Sequence, residues 1–205
     1  MSTPLAATVG GRPVRVSAID ERESRLRSSG LADALPRIGT SEGRQLRRWL
    51  TQLVVTDVVV QHESEALGVA AGDAPDETEL LPDMAARLEI GSVAAAALEQ
   101  PLARALFVRV TDAVQVGDDA IVEYHQRNPM RFARPVPGPD GWLVAPTVPP
   151  TLGAVWSEIA AELLGSARRQ AFRRWLDARR ADLVHLEPGY EHPGDPRQPD
   201  HVHRH

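Results

Sequence analysis

Two stretches of this chain carry apolar residues at three- and four-residue spacing over many turns, and they lie far apart in the sequence. The first, between Glu42 and Leu67, presents Leu46, Trp49, Leu50, Leu53, Val54, Val58 and Val60. The second, between Thr151 and Leu183, presents Trp156, Ile159, Ala160, Leu163, Leu164, Ala167, Ala171, Phe172, Trp175 and Leu176, with Arg168, Arg169, Arg173, Arg179 and Arg180 on the other side. That period belongs to amphipathic helices. The run from Leu53 to Val60 is β-branched enough to suggest a strand, but charged flanks and a stop at Gly68 favour a helix. Burying five of the large side chains contributes on the order of 10 kcal/mol before entropy is subtracted, so each stripe must dock on something. The most economical partner for each is the other.

The remaining segments arrange themselves around this pair. Residues 6–16 place β-branched residues on both sides of Gly10-Gly11, which predicts a hairpin or extended arm. Ser17, three residues before Asp20, predicts an N-cap and a first helix over about 18–28. A connector follows, ending at Ser41 as the cap of the helix over 42–67. Residues 71–79 are acidic and turn-rich, and short helices are expected over 80–88 and 91–106. Asp112 is placed to start a further helix through Tyr124 to Arg127, which Asn128-Pro129 ends. Six prolines fall between Phe132 and Thr151, a composition that makes a connection and not a domain. The expected fold class is therefore mainly α, in four parts: residues 1–132 as N-terminal β-arm and helical core, 133–150 as Pro/Gly-rich connector, 151–186 as the long helix completing the core, and 187–205 as an irregular tail rich in histidine and proline.

Composition excludes several functions. With 205 residues, 42% of them hydrophobic, the chain is large enough for a real core. A net charge of −5 argues against nucleic acid or an anionic membrane as partner. All cations are arginine, so neither a Schiff-base lysine nor a phosphate-loop lysine exists. Zero cysteines remove disulfides, thiolate metal sites and cysteine nucleophiles. Met1 to Gly10 has no basic region leading into a long apolar run, and no stretch nears the roughly 18 apolar residues of a membrane span, so the cytosol is the expected address. No Gly-x-Ser-x-Gly elbow occurs, and Gly10-Gly11 lacks the third glycine of a dinucleotide loop.

The segment order resembles the SurA, PrsA and trigger-factor-related chaperones. The arm Ala6 to Val16, the long helix after it, Val110-Thr111-Asp112, and Tyr124-His-Gln-Arg-Asn-Pro-Met-Arg-Phe132 occupy the places that in that family precede a parvulin-type prolyl isomerase. The helix over 155–183 resembles the one that returns after the isomerase to complete the chaperone core. Only residues 133–150 separate the two parts here, far too few for the isomerase domain. The resemblance therefore implies a helical, client-cradling core without isomerase activity. Its expected cleft lies between the two long helices and draws on Trp49, Leu53, Trp156 and Trp175, with Trp142 of the connector covering it. The occupant would be an apolar peptide or protein client.

Histidine placement supports a different reading. His185, His192, His201, His203 and His205 crowd the end of the sequence. In an extended segment His201, His203 and His205 share one side, and His192 would complete a site for a divalent transition metal, with Glu191, Asp195 and Asp200 as oxygen donors. A metal-dependent or histidine acid/base enzyme, an isomerase or lyase acting on a small or carrier-bound substrate, is the alternative this supports; a plain solvated tail is the simpler one. His62 and His125, each inside a predicted helix, read as structural. The arginines of the last helix read as its wet face, or as a grip for an acidic carrier protein. Self-association into a homo-oligomer is left open by the sequence.

Overall fold

In the computed structural model, which describes residues 4–30, 32–137, 140–144 and 146–191, both apolar stripes are helical. The chain runs through β1 (Leu5–Val9), β2 (Arg12–Arg15), α1 (Val16–Arg27), α2 (Ser41–Leu67), α3 (Glu77–Leu80), α4 (Met84–Ile90), α5 (Ser92–Ala97), α6 (Pro101–Thr111), α7 (Asp118–Arg127), β3 (Val136–Pro137), β4 (Leu143–Val144), α8 (Leu152–Leu183) and β5 (Val184–Leu186). It is mainly α, with one small sheet of order β2-β1-β5 at the arm.

Helix α2 is the centre of the fold. Thr40 caps it, its hydroxyl accepting from the Gly43 N–H at 3.0 Å, and Gly68 ends it in a left-handed conformation at φ +64. Leu50 and Leu53 face α1 in one apolar cluster with Ile19 and Ala6, while Val55, Val59 and Val60 belong to the main core. Thr51 and Thr56 are buried as well, and their hydroxyls donate back to the carbonyls of Arg47 (2.9 Å) and Gln52 (2.7 Å), leaving no unpaired hydroxyl at either. A helix buried on several faces needs no clean polar side, which explains the continuous apolar run from Leu53 to Val60.

Helix α8 has two unlike halves. Its N-terminal half, through Val155 and Ile159, packs on Ile121 of α7 in a small separate cluster. Its C-terminal half brings Phe172 and Leu176 into the main core beside Val55 and Val59, with α6 packed against both long helices. Phe172 is fully buried, its ring 5.1 Å from Phe107 and 5.8 Å from Trp175. The expected docking of the two stripes is thus realised by half of α8.

Past Leu183 the chain leaves the helix and returns to the arm. β5 pairs antiparallel with β1 (Ala7 with Leu186, Val9 with Val184), and the flanking bonds Gly10 N–H to Leu183 C=O and Glu187 N–H to Ala6 C=O are both 2.9 Å. The arm is a hairpin turning on Gly10 (φ +54) and Gly11 (φ +80), the backbone of a two-residue turn that glycine adopts without strain. A Cβ on Gly10 would stand 2.8 Å from the His62 ring.

Several expected boundaries shift. α1 starts at Val16 with no side-chain cap, so Ser17 lies inside it, and Thr40 instead of Ser41 caps α2. The helix expected over 91–106 is two, α5 and α6, because Pro101 lacks the N–H to continue one helix and is suited to start another. α6 runs through Val110 to Thr111, so Asp112 ends a helix, and α7 begins only at Asp118. The unit expected over 151–186 is a helix to Leu183 and a strand thereafter. The connector contains the two-stranded β3-β4 hairpin.

Candidate functional site

A cleft of about 690 Å³ opens beside α2, on the side turned to α1 and the α5–α6 corner. Helices α1 and α2 and the α5–α6 corner shape it. α1 and the turn after it contribute Arg22, Arg25, Leu26 and Ser29, at positions i, i+3, i+4 and i+7 of one helix face; α2 contributes Asp57, Val60 and Gln61; the corner adds Ala97, Gln100, Leu102 and Ala103. Leu26, Val60, Ala97, Leu102 and Ala103 form an aliphatic floor. The polar groups stand around its mouth.

Ion pairs hold the two principal walls. Arg47 of α2 bonds Asp20 and, at 2.9 Å, Glu23 of α1, while Glu23 also accepts from Arg27 Nε at 2.9 Å. Inside the cleft Arg22 meets the Asp57 carboxylate at 2.6 Å. Burial raises the Asp57 carboxyl above the ordinary aspartate range, outweighing the opposing pull of Arg22 and Arg25. Arg25, Gln61 and Gln100 are exposed at the mouth, and their side chains hydrogen-bond nothing among the described residues.

The structure scatters the residues expected to line a cleft between the long helices. Trp49 and Leu53 come together in the α1–α2 cluster, where Leu26 joins them and also lines the 690 Å³ cleft. Trp156 packs against α7, Trp175 stacks on Phe172 in the main core, and Trp142 is 77% exposed on the connector. Val55 and Val59 of α2 share the main core with Phe172 and Leu176 of α8, so the expected location is corrected: the open cleft is lined by α1, α2 and the α5–α6 corner and by no residue of α8. Of the proposed metal ligands, His192, His201, His203 and His205 lie outside the described residues. Among the described residues no group of three or more histidine, aspartate or glutamate side chains is placed to hold a metal ion.

The histidines within helices have structural neighbours. His125 Nε2 donates to the Pro150 carbonyl at 3.0 Å, pinning the far end of the connector to α7. At the near end Tyr124 packs against Phe132 and donates to Glu162 at 2.8 Å. Both ends of residues 133–150 are therefore held at the α7–α8 junction. His62 sits over Gly10 of the arm.

The arginine face of α8 is not simply wet. Arg169 Nε donates to Glu89 of α4 at 2.7 Å, Arg173 reaches the Glu89 carbonyl at 3.2 Å, and Arg180 donates to the fully buried Gln52 of α2, whose Nε2 in turn lies 3.4 Å from the Tyr190 carbonyl. These guanidinium groups knit α8 to its neighbours, which the expectation of a solvated stripe missed.

Sequence reasoning also missed Arg22, Arg25, Asp57, Gln61 and Gln100. Their signal was present in the lone carboxylate of the apolar run Leu53 to Val60 and in the spacing of Arg22, Arg25, Leu26 and Ser29 along one face. Among known proteins, residues 5–42 are similar to a family of unknown function, DUF7158. That stretch covers the arm, α1 and the start of α2, and so includes the α1 wall of the cleft. No curated protein and no solved structure matches the chain. No helix among the described residues is long and apolar enough to cross a membrane.

Proposed function

We propose that this protein is a SurA-like, chaperone-type binding module without prolyl-isomerase activity, which holds an apolar polypeptide segment in the cleft bounded by α1, α2 and α6. The observation that carries this reading is the aliphatic floor of Leu26, Val60, Ala97, Leu102 and Ala103 beneath a polar mouth, in a cleft of about 690 Å³, a size and lining suited to a short run of side chains. The closure of the chain on itself supports it. β5 returns to the arm after α8, and the connector leaves and re-enters at a junction clamped by Tyr124 and His125, an arrangement compatible with the resemblance, which would put the isomerase of those chaperones at residues 133–150. The cytosol is the proposed compartment.

The test is suppression of aggregation of a chemically unfolded client by the full chain at several-fold excess, repeated with Gln61→Trp. Gln61 is exposed, so the bulky ring fills the cleft mouth without entering the core. Suppression by the native chain and its loss in the variant are expected. Failure of the native chain to suppress aggregation refutes the proposal.

A further inference from the structure

The cleft has a charge preference that its apolar floor does not explain. Its charged lining is Arg22, Arg25 and Asp57, two guanidinium groups around one carboxylate: Arg22 bonds Asp57 at 2.6 Å and Arg25 acts on it through space, so the lining holds a positive charge in excess. No hydrogen bond or ion pair occupies the Arg25 side chain among the described residues, although its guanidinium offers five N–H donors. Gln61 and Gln100 stand at the same mouth with their amides equally unengaged. An amide offers one acceptor and two donors, the complement of a peptide unit, and a guanidinium is the complement of a carboxylate. The arrangement is the more specific because the whole chain is acidic at −5, so a positive mouth is a local feature and not a sample of the average surface.

We infer that the segment held in this cleft is an extended peptide in which an aspartate or glutamate flanks aliphatic residues: the aliphatic side chains lie on the floor, Gln61 and Gln100 bond its backbone, and Arg25 pairs with its carboxylate. This inference rests on the proposed binding function and names the chemistry of the segment bound. A basic flank would meet Arg25 with like charge. Arg25 pairs at the solvent edge, so its contribution is that of an exposed ion pair, enough to select between segments but not to bind one unaided.

The experiment uses the full chain and three fluorescein-labelled, end-blocked peptides that share an Ala-Leu-Ala-Leu core and differ only in a flanking Glu, Gln or Lys, with Kd read by anisotropy at low ionic strength. The Glu peptide is expected to bind about fivefold tighter than the Gln peptide, and the Lys peptide more weakly than either. In Arg25→Gln the Glu and Gln peptides are expected to bind within about twofold of each other. Arg25 is exposed on α1, and circular dichroism of the variant checks that its fold is kept. Equal binding of all three peptides, tighter binding of the Lys peptide, or a Glu preference that survives Arg25→Gln overturns the inference while leaving the binding function standing. Absence of binding by every peptide overturns both.

Discussion

The contact between α4 and α8 turns on a single carboxylate, and its removal has a calculable effect. Glu89 accepts from Ser166 Oγ, from Arg169 Nε at 2.7 Å and from Gln170 Nε2 at 3.1 Å, three donors at positions i, i+3 and i+4 on one face of α8. The Arg169 side chain is only 11% exposed and that of Glu89 25%. Breaking a fully buried ion pair from one side costs about 3–5 kcal/mol, because the remaining charge is stranded. Since water reaches part of the Glu89 carboxylate, Glu89→Ala is expected to cost less, about 2–3 kcal/mol. Glu89→Gln retains an acceptor oxygen and is expected to cost about 1 kcal/mol. Urea unfolding at neutral pH, followed by circular dichroism and tryptophan fluorescence, measures both, and a double-mutant cycle with Arg169→Met isolates the pair.

The same carboxylate predicts a pH dependence of definite sign. Burial pushes the Glu89 carboxyl up, but the hydrogen bonds from Ser166, Arg169 and Gln170 outweigh it and hold the group below the ordinary glutamate range. In that window the folded state binds fewer protons than the unfolded chain, so stability is present above the unfolded value near ~4.3 and declines as pH falls through the folded one. Glu89→Gln should lack this part of the acid limb. A cost for Glu89→Ala under about 0.5 kcal/mol, the range of an ordinary surface substitution, together with an acid limb equal to that of the native chain, would refute the clamp.

Three further outcomes are expected. Phe172→Ala should destabilise by about 3–4 kcal/mol in the same urea assay, because a fully buried ring between Phe107 and Trp175 leaves a cavity, and a loss under about 1 kcal/mol would contradict the packing of α8 in the main core. Asp57 has the opposite sign to Glu89: its raised carboxyl keeps a proton longer in the folded state, so its contribution to stability is lost as pH rises from the ordinary aspartate value near ~3.9 through the folded one, and Asp57→Asn should flatten that slope and be no less stable than the native chain at pH 7, within about 0.5 kcal/mol. Gly10→Ala should cost about 1–2 kcal/mol from its left-handed backbone plus displacement of His62, whereas Gly11→Ala, with open space around the added methyl, should show the backbone cost alone; equal effects of the two in thermal unfolding would show that the His62 contact does not matter.

Much of the fold was legible because its driving force is written as periodicity. The stripes of α2 and α8, the stop at Gly68, the hairpin at Gly10-Gly11 and the end of α7 at Asn128 all follow from local chemistry, and the structure has each of them. What escaped is decided by tertiary partners. Val184-His185-Leu186 is too short to announce a strand, and only the free edge of β1 makes it one. The break between α5 and α6 was signalled by Pro101, yet the alanine- and leucine-rich stretch on both sides outweighed it in the reading of one helix.

The cleft escaped for a different reason, which also explains the misread arginines of α8. Charged residues on one face of an amphipathic helix are ordinarily its solvated side, so neither Arg22 and Arg25 on α1 nor Arg169 and Arg180 on α8 stand out by pattern. Guanidinium groups, though, lay their aliphatic stems along apolar surface and carry several donors to acceptors at a seam, so an arginine face is compatible with water, with another helix or with a cleft. Which of these applies depends on acceptors supplied by other elements. On α8 the acceptors are present: the Glu89 carboxylate and carbonyl for Arg169 and Arg173, and the Gln52 amide for Arg180. On α1, Arg22 finds Asp57 but Arg25 finds no hydrogen-bond acceptor among the described residues. The same residue type on the same kind of helix face is thus bonded to other elements in one place and exposed in the other, and the sequence pattern alone does not separate the two.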